Sequence, residues 1–357
     1  MPELVPSSYR AAYFLPNMSF TKKISYLLGG ACLLFFAVGV FLPATARIER
    51  GITIEAHRAT VFALLNDFHQ VNKWSRWPAT DPNARVDIGG PPRGVGATMS
   101  WSGVIIGSGT QTIVVSEPLE KIATRQILAD IGEVETSFSL AESDDGTTVM
   151  WRYEKDFGLN IFGRYYGLLL DDIVGIGYEE GLANLKTMAE SLPPADFHGL
   201  DIEQMIVMPT DIAYIEASSE PLAAAISKAM GEAYFAVLNF IDRNRLQEAG
   251  APLSISRAFD GSELRFDAAI PVRGIMESTP RAQDSVKLGH TYGGAVVRVI
   301  HLGSYLELGE THNRISAYLA ALGIERNGDA WESYVSDPTK IDEAELITHV
   351  FYPVIMK

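Results

Sequence analysis

One apolar segment near the N-terminus most limits what this chain of 357 residues can fold into. The residues from Ile24 to Leu42 read ISYLLGGACLLFFAVGVFL and include no charged side chain. A run of about 19 apolar residues approaches the length that a helix needs to cross a bilayer. We therefore predict a membrane-spanning helix over residues 24–43, preceded by an N-terminal tail over residues 1–23.

Two other interpretations of this segment stay open from the sequence. The triplet Ala44-Thr45-Ala46 resembles a cleavage site after a signal peptide, although the apolar run is longer than a usual signal core. A helix buried in a soluble core is the second alternative. Met18 stands just before the segment, so translation could begin there or at Met1.

The basic residues on the two sides of the segment suggest its orientation. Arg10, Lys22 and Lys23 precede it, and Arg47, Arg50 and Arg58 follow it. The counts nearly balance, but the N-terminal side is short and carries a single acid, Glu3. The positive-inside rule thus places the N-terminus in the cytoplasm. We predict a single-pass protein of the inner membrane whose C-terminal domains are extracytoplasmic.

Composition restricts the partners and cofactors of the rest of the chain. A hydrophobic content of 47% and a charged content of 20% are typical of globular protein, and the length predicts about two domains. The formal net charge of -15 disfavours nucleic acid, because phosphate binding needs clustered cations. Cys32 is the one cysteine, so no intramolecular disulfide or thiolate metal site can form. We expect no metal and no cofactor, since no histidines pair at ligand spacing.

Residues 48–192 carry the pattern of a first α+β domain. Ile48 to Glu55 alternate as a strand, and a short helix follows. A long helix is predicted from about Phe162 to Leu192, where Pro193 ends it. Between the helices we predict strands at Ala97–Trp101, Ser108–Ser116, Lys121–Leu128, Glu133–Leu140 and Thr147–Lys155, the last two joined by a hairpin turn at Asp145-Gly146.

This domain resembles the SRPBCC superfamily, which includes polyketide cyclase/dehydrase and START-like proteins. The resemblance is carried by ITIEAHRATVFALLNDFHQVNKWSRW, GVGATMSWSG, SEPLEKI, TTVMWRYE and GRYYGLLLDDIVGIGYEEGLANLK. It implies a helix-grip fold with a cavity for apolar ligands between the sheet and the long helix, and only some members are enzymes. The candidate lining residues are Trp77, Trp101, Trp151 and Tyr166, with Trp74 and Tyr165 beside them. Ordinary core packing is the alternative for each of them.

A linker over residues 193–202 leads to a second domain over residues 203–357, in which the unit β-α-β-β is predicted twice. The first unit has a strand from Gln204 to Ala217, a helix that begins at Ser219, and the strands LSISRAF and SELRFDAAIPV. The second unit has the strand GAVVRVIHL, a helix opened by a capping box from Ser304 to Glu307, and the strands WESYVSD and ELITHVFYPVI.

The second domain resembles the gyrase-inhibitor-like superfamily, which includes the effector-binding domains of multidrug-sensing regulators. The matching motifs are FDAAIPV, VRVIHLGSYLEL, WESYVSDP and ITHVFYPVI. The resemblance implies a pocket for lipophilic, often cationic, molecules with a buried carboxylate at Glu332. Tyr334 shares its strand face, and Trp331 and Tyr305 are secondary candidates. His349 stands where relatives commonly have an acid, so a second carboxylate is in doubt.

Three functions are compatible with this α+β chain. The first is a membrane-anchored binding protein for small hydrophobic or lipophilic cationic molecules. The alternative is a hydrolase or cyclase-type enzyme that uses Glu332 as general acid or base. The third is a structural or interaction protein whose cavities are filled by its own side chains. The sequence contains no GxSxG, HExxH or P-loop motif, and no helix-turn-helix module precedes the effector-like domain, which disfavours direct transcription control.

Overall fold

The computed structural model describes residues 20–355. Most of the predicted tail over residues 1–23, and the choice between Met1 and Met18, lie outside this range. In the described range, one helix, α1 (Phe20–Phe41), is long and apolar enough to cross a membrane, by length and composition alone. Nearly all of its side chains are exposed, as the apolar segment predicts for a helix that no protein core covers. The inner-membrane location and the orientation stay predictions.

A seven-stranded antiparallel sheet with attached helices occupies residues 45–190. In chain order its elements are β1 (Thr45–Ile54), α2 (Arg58–Leu65), α3 (Phe68–Trp74), α4 (Trp77–Thr80), β2 (Arg85–Gly89), β3 (Thr98–Ser102), β4 (Ser108–Glu117), β5 (Lys121–Leu128), β6 (Gly132–Ser143), β7 (Gly146–Asp156), α5 (Ile161–Gly167) and α6 (Ile176–Glu190). The strands lie in the order β1-β7-β6-β5-β4-β3-β2, and α6 packs on β1. The predicted hairpin joins β6 and β7, with a φ of +120° at Gly146 that suits glycine.

The long helix predicted from Phe162 to Leu192 is divided in the structure. A π-helical turn at Asp171–Gly175 separates α5 from α6. At this turn the guanidinium of Arg50 lies against Gly175, where a Cβ atom would stand 2.3 Å from it. Arg50 also forms ion pairs with Asp171 at 3.0 Å and Glu179 at 2.7 Å. The Arg50 side chain therefore packs directly against the helix backbone at the π-helical turn. Helical periodicity in the sequence does not predict this interruption of the helix.

A second, ten-stranded sheet holds the strands of residues 202–353. Its elements are β8 (Ile202–Val207), β9 (Asp211–Ser219), α7 (Ala223–Arg243), β10 (Gln247–Glu248), β11 (Leu253–Phe259), β12 (Leu264–Arg273), β13 (Ala282–Gln283), β14 (Val286–His290), β15 (Gly294–Leu302), α8 (Leu308–Ala321), β16 (Trp331–Tyr334) and β17 (Ile347–Pro353). The order is β13-β14-β9-β12-β11-β16-β17-β15-β8, with β10 beside β12. The chain order is β9-α7-β10-β11-β12 in one part and β15-α8-β16-β17 in the other, and a duplicated β-α-β-β unit stays a prediction.

Two predicted boundaries in this half are wrong. The strand expected from Gln204 to Ala217 is two strands, β8 and β9, which break at Pro209 and lie far apart in the sheet. Proline lacks an amide donor and is confined to strand ends and edges, so it interrupts the alternating pattern. The helix expected from Ser219 begins at Ala223, and Leu222 at its N-cap position makes no side-chain hydrogen bond.

The helix α8 joins the two halves of the molecule. Ala321 and Leu322 at its end form a buried apolar cluster with Ala63 of α2. Arg314 of the same helix donates hydrogen bonds to the backbone carbonyls of Asp196 at 2.7 Å and His198 at 2.8 Å. One side of α8 therefore contacts the first half and the linker, and its other side packs on the second sheet.

Candidate functional site

Glu332 lies in β16, a short strand between β11 and β17. Because side chains alternate along a strand, Glu332 and Tyr334 share the sheet face that α7 and α8 cover. The hydroxyl of Tyr334 donates a hydrogen bond to Oε2 of Glu332. Only 14% of the Glu332 side chain is exposed. The carboxylate is thus largely removed from water and held by a fixed donor.

The second oxygen of Glu332 contacts a histidine that the sequence analysis did not select. Nε2 of His312, on α8, lies 2.8 Å from Oε1 of Glu332, and Nδ1 lies 2.7 Å from the hydroxyl of Tyr352 on β17. A neutral imidazole donates through one nitrogen and accepts through the other. Burial raises the pKa of the Tyr352 hydroxyl, so it stays a donor at neutral pH. Tyr352, His312 and Glu332 therefore form a continuous hydrogen-bonded chain.

Tyr334, which contacts the carboxylate directly, lies in a group with two further tyrosines and a methionine. The ring of Tyr305 meets that of Tyr334 edge-on at 5.2 Å, and the sulfur of Met230 lies 3.8 Å from the Tyr334 hydroxyl. Burial, followed by the negative charge of Glu332, raises the pKa of both Tyr234 and Tyr334. These phenols remain protonated in the physiological range, so the surroundings of Glu332 are neutral, polarisable and aromatic.

Trp331 and His349 do not belong to this group. Trp331 is next to Glu332 in β16, and His349 is next to the residue of β17 that pairs with Glu332. Since side chains alternate along a strand, both Trp331 and His349 lie on the opposite face of the sheet from Glu332. The indole of Trp331 stacks on Phe351 at 4.8 Å. Burial, with a smaller contribution from the positive charge of Arg298, lowers the pKa of His349. The structure thus brings Glu332, Tyr334 and Tyr305 together and leaves Trp331 in a separate cluster.

In the first half, aromatic side chains fill the space between the sheet and α6. Trp151 is 9% exposed and stacks on Tyr178 with ring centres 3.6 Å apart. Phe138 lies 4.7 Å and Trp74 lies 5.7 Å from the same indole. Aromatic groups in such contact contribute strongly to packing. The predicted lining residue Trp151 therefore lies at the centre of the core.

The other three aromatic candidates of the first half are dispersed. Trp101 and Tyr166 are partly buried at the margin of the core. Trp77 is 44% exposed, and the guanidinium of Arg76 lies 5.6 Å from its ring centre. Contact of these residues with a ligand stays a prediction, since the structure does not gather them around one space.

Two open surface cavities of about 390 Å³ each lie elsewhere. The first is lined by Arg76, Ala79, Thr80, Glu180, Ala183 and Asn184, and the second by Glu216, Ala217, Ser218, Arg257, Arg265, Phe266 and Asp267. Neither includes a residue that the sequence predicts to bind a ligand.

Within residues 20–355, no group of three or more His, Cys, Asp or Glu side chains could hold a metal ion.

The spacing of the apolar residues in α8 could have predicted that His312 faces the sheet. Leu308, Ile315 and Leu319 are buried and lie on one face of α8, and His312 falls on the same face at i+4 from Leu308. A histidine within an apolar stripe points toward the sheet. Its partner Tyr352 is 40 residues distant in the chain, so only the fold pairs them.

The comparisons with known proteins agree with the architecture of the first half. Residues 45–190 match the family model described as polyketide cyclase / dehydrase and lipid transport. This range coincides with the seven-stranded sheet and its helices, so the resemblance of the first domain to that family is confirmed. No curated protein matches the chain.

Solved structures match parts of the chain at low sequence identity. A protein from Chromobacterium violaceum is 17% identical over 42% of this chain and 99% of its own, with a TM-score of 0.32. The C-terminal domain of EcmrR is 13% identical over 44% of this chain and 99% of its own, with a TM-score of 0.37. The di-domain ARO/CYC StfQ from the steffimycin biosynthetic pathway is 13% identical over 41% of this chain and 51% of its own, with a TM-score of 0.32. At these scores the likenesses carry no functional weight.

Proposed function

We propose that this chain is a membrane-anchored binding protein for small hydrophobic or lipophilic cationic ligands, and that Glu332 receives the positive charge of the ligand. The observation that carries the proposal is a carboxylate 14% exposed among phenol rings. His312 and Tyr334 each contact one of its oxygens. A carboxylate offers about four acceptor positions, so each oxygen can accept one further hydrogen bond.

The surroundings of Glu332 favour a cation that carries apolar groups. The charge of the carboxylate acts strongly because little water screens it. The rings of Tyr305 and Tyr334 add their quadrupoles, and a desolvated cation–π contact is worth about 2 kcal/mol. The sulfur of Met230, near Tyr334, offers an adaptable apolar contact. A strongly hydrated cation without apolar surface would regain less of its hydration free energy here.

The first half supports a role in ligand binding. Its family model includes lipid transport, and α1 would hold the protein at a bilayer, where apolar molecules concentrate. In the described part of the chain, the space between its sheet and α6 is occupied by Trp151 and its neighbours. We therefore place the principal ligand site in the second half, at Glu332.

Two lipophilic ions of the same shape and opposite charge test this proposal. Purified full-length protein in lipid nanodiscs is titrated with tetraphenylphosphonium or tetraphenylborate, and binding is compared with that of Glu332→Gln. Loss of the charge should weaken binding of the cation at least about tenfold, which corresponds to 1.4 kcal/mol. Glu310→Gln is the matched control, since Glu310 is an exposed acid on α8. Equal affinity of the wild type and Glu332→Gln for the cation would contradict the proposal.

A second candidate function is acid–base catalysis, which the chain from Tyr352 through His312 to Glu332 favours. Such a chain can deliver or remove a proton at the carboxylate. We expect Glu332→Gln to abolish the hydrolysis of activated esters or strained rings, measured as product mass. His312→Gln should lower kcat by about 10²–10⁴, the usual contribution of a positioned acid or base. His349→Gln, on the other sheet face, is the control. Full turnover in Glu332→Gln would remove this candidate.

A further inference from the structure

The C-terminal end of α1 is held by polar side chains of α5. Nη1 of Arg164 donates hydrogen bonds to the backbone carbonyls of Val40 at 2.7 Å and Leu42 at 3.2 Å. The hydroxyl of Tyr165 donates to the carbonyl of Phe35 at 2.8 Å. The last carbonyls of a helix lack partners within it, so Arg164 supplies the donors that the end of α1 needs. The position of α5 relative to α1 is therefore fixed.

Aromatic contacts extend this attachment along the last turns of α1. The ring of Phe35 stacks on Tyr165 at 4.3 Å, and Phe162 lies 5.4 Å from Phe35 and 6.2 Å from Phe36. Gly39 makes the approach possible, since a Cβ atom there would stand 2.3 Å from the side chain of Ile161. The end of α1 and the whole of α5 thus form one packed unit.

A set of exposed apolar side chains continues from this unit, and we call it the apolar ridge. Its members lie in α5, in the π-helical turn and at the start of α6, and in the loops beside them. All are more than half exposed, whereas Leu170 in the same segment is buried against the sheet. The members of the apolar ridge are Leu159, Phe162, Leu168, Leu169, Ile173 and Ile176.

The length of α1 fixes the depth of its contacts. The apolar residues from Ile24 to Leu42 extend about 28 Å at 1.5 Å per residue, which matches a hydrocarbon core of about 30 Å without excess. Phe35 lies about 10 Å from Leu42 along the helix by the same rise. If α1 spans the bilayer, Phe35 is within the hydrocarbon, and Phe162 and Tyr165, which touch it, lie at that depth or just above it.

We propose that the apolar ridge is immersed in the membrane leaflet from which α1 emerges, so that lipid is its partner. This inference rests on the proposed role of α1 as an anchor. Large exposed apolar surfaces mark interaction sites, and a bilayer is already in contact with the adjoining helix. The charged side chains between Leu159 and Ile176 are Arg164, which caps α1, and the acids Asp171 and Asp172. This segment offers no cluster of cations to anionic lipid, so insertion is driven by apolar burial and should persist at high salt.

Site-specific depth measurements on the full chain test this proposal. Cys32 is replaced by Ser, single cysteines are placed by Leu169→Cys, Leu33→Cys or Leu306→Cys, and each is labelled with an environment-sensitive fluorophore. The protein is reconstituted in phosphatidylcholine vesicles that contain a lipid nitroxide near the headgroup or near the end of the acyl chain. Leu306 is 73% exposed and lies in the second half, so it is the matched control for an exposed leucine outside the apolar ridge.

We expect the headgroup nitroxide to remove most of the fluorescence at position 169, the deep nitroxide to do so at 33, and neither to affect 306. Quenching at 33 with none at 169 overturns the proposal and leaves the anchor intact. Absence of quenching at both positions overturns the anchor itself. The fluorophore at 169 could instead be shielded from water in a way that depends on protein concentration and not on the lipid quencher. That result would identify a second copy of the chain as the partner and would also overturn the proposal.

Discussion

Trp151→Ala should destabilise the first half strongly, because this indole lies at the centre of an aromatic core. It is 9% exposed and contacts Tyr178, Phe138 and Trp74 with ring centres 3.6, 4.7 and 5.7 Å away. Truncation of a buried tryptophan to alanine costs about 3–5 kcal/mol, from lost burial and from the cavity that remains. For a domain of this size each kcal/mol lowers Tm by roughly 2–4 °C. We therefore expect a decrease of roughly 6–20 °C.

Differential scanning calorimetry in one detergent measures this effect without relying on tryptophan fluorescence. Trp77→Ala is the matched control, since Trp77 is 44% exposed and its contact with Arg76 is at the surface. We expect that control to lose no more than about 1 kcal/mol, the value of an exposed cation–π contact. A Trp151→Ala variant that melts with the control would refute the reasoning, and would indicate a loosely filled interior able to accept a ligand.

Three further predictions concern single positions. Gly181→Val should lower the free energy of unfolding, measured in urea, by about 1–3 kcal/mol, because a Cβ atom would stand 2.9 Å from Trp151. An unchanged free energy of unfolding would show that α6 can move away from Trp151. His349 has a lowered pKa, so the unfolded chain binds its proton more readily and stability falls as pH decreases below about 6.5. His349→Gln should remove that part of the pH dependence, and an unchanged slope between neutral pH and pH 5 would contradict it. Asp267→Asn should lower the free energy of unfolding by about 1.5–3 kcal/mol in a denaturant titration, because this buried carboxylate accepts a hydrogen bond from Arg257 Nε at 2.9 Å. A variant as stable as the wild type would show that the charge of Asp267 contributes nothing.

Local signals in the sequence predict most of the strands. The Asp145-Gly146 pair predicts the β6–β7 hairpin, because the left-handed φ at Gly146 is a local property of the turn. The alternating pattern of Gln204 to Ala217 does not distinguish one strand from two that are separated at Pro209. Which neighbours the two pieces pair with is decided by the rest of the sheet, and no local pattern contains that information.

The candidate site is predictable only in part for the same reason. Glu332 and Tyr334 are two residues apart in a strand, so the two-residue period places them together. His312 and Tyr352 reach Glu332 from a helix and from a neighbouring strand, which tertiary packing brings into register. The aromatic candidates of the first half show a different difficulty. Burial draws Trp151 into the core as readily as a ligand pocket would, and composition does not separate the two.

The two-sided packing of α8 would link the proposed ligand binding at Glu332 to the junction between the two halves. His312 on one side of this helix contacts Glu332, and Ala321 and Leu322 at its end contact Ala63 of the first half. A ligand that displaces the His312 imidazole would therefore also shift α8, the helix that contacts both halves. Linkage is reciprocal, so a substitution at Ala63 that changes ligand affinity should change the free energy of unfolding by different amounts with and without ligand, and that difference should equal the change in binding free energy.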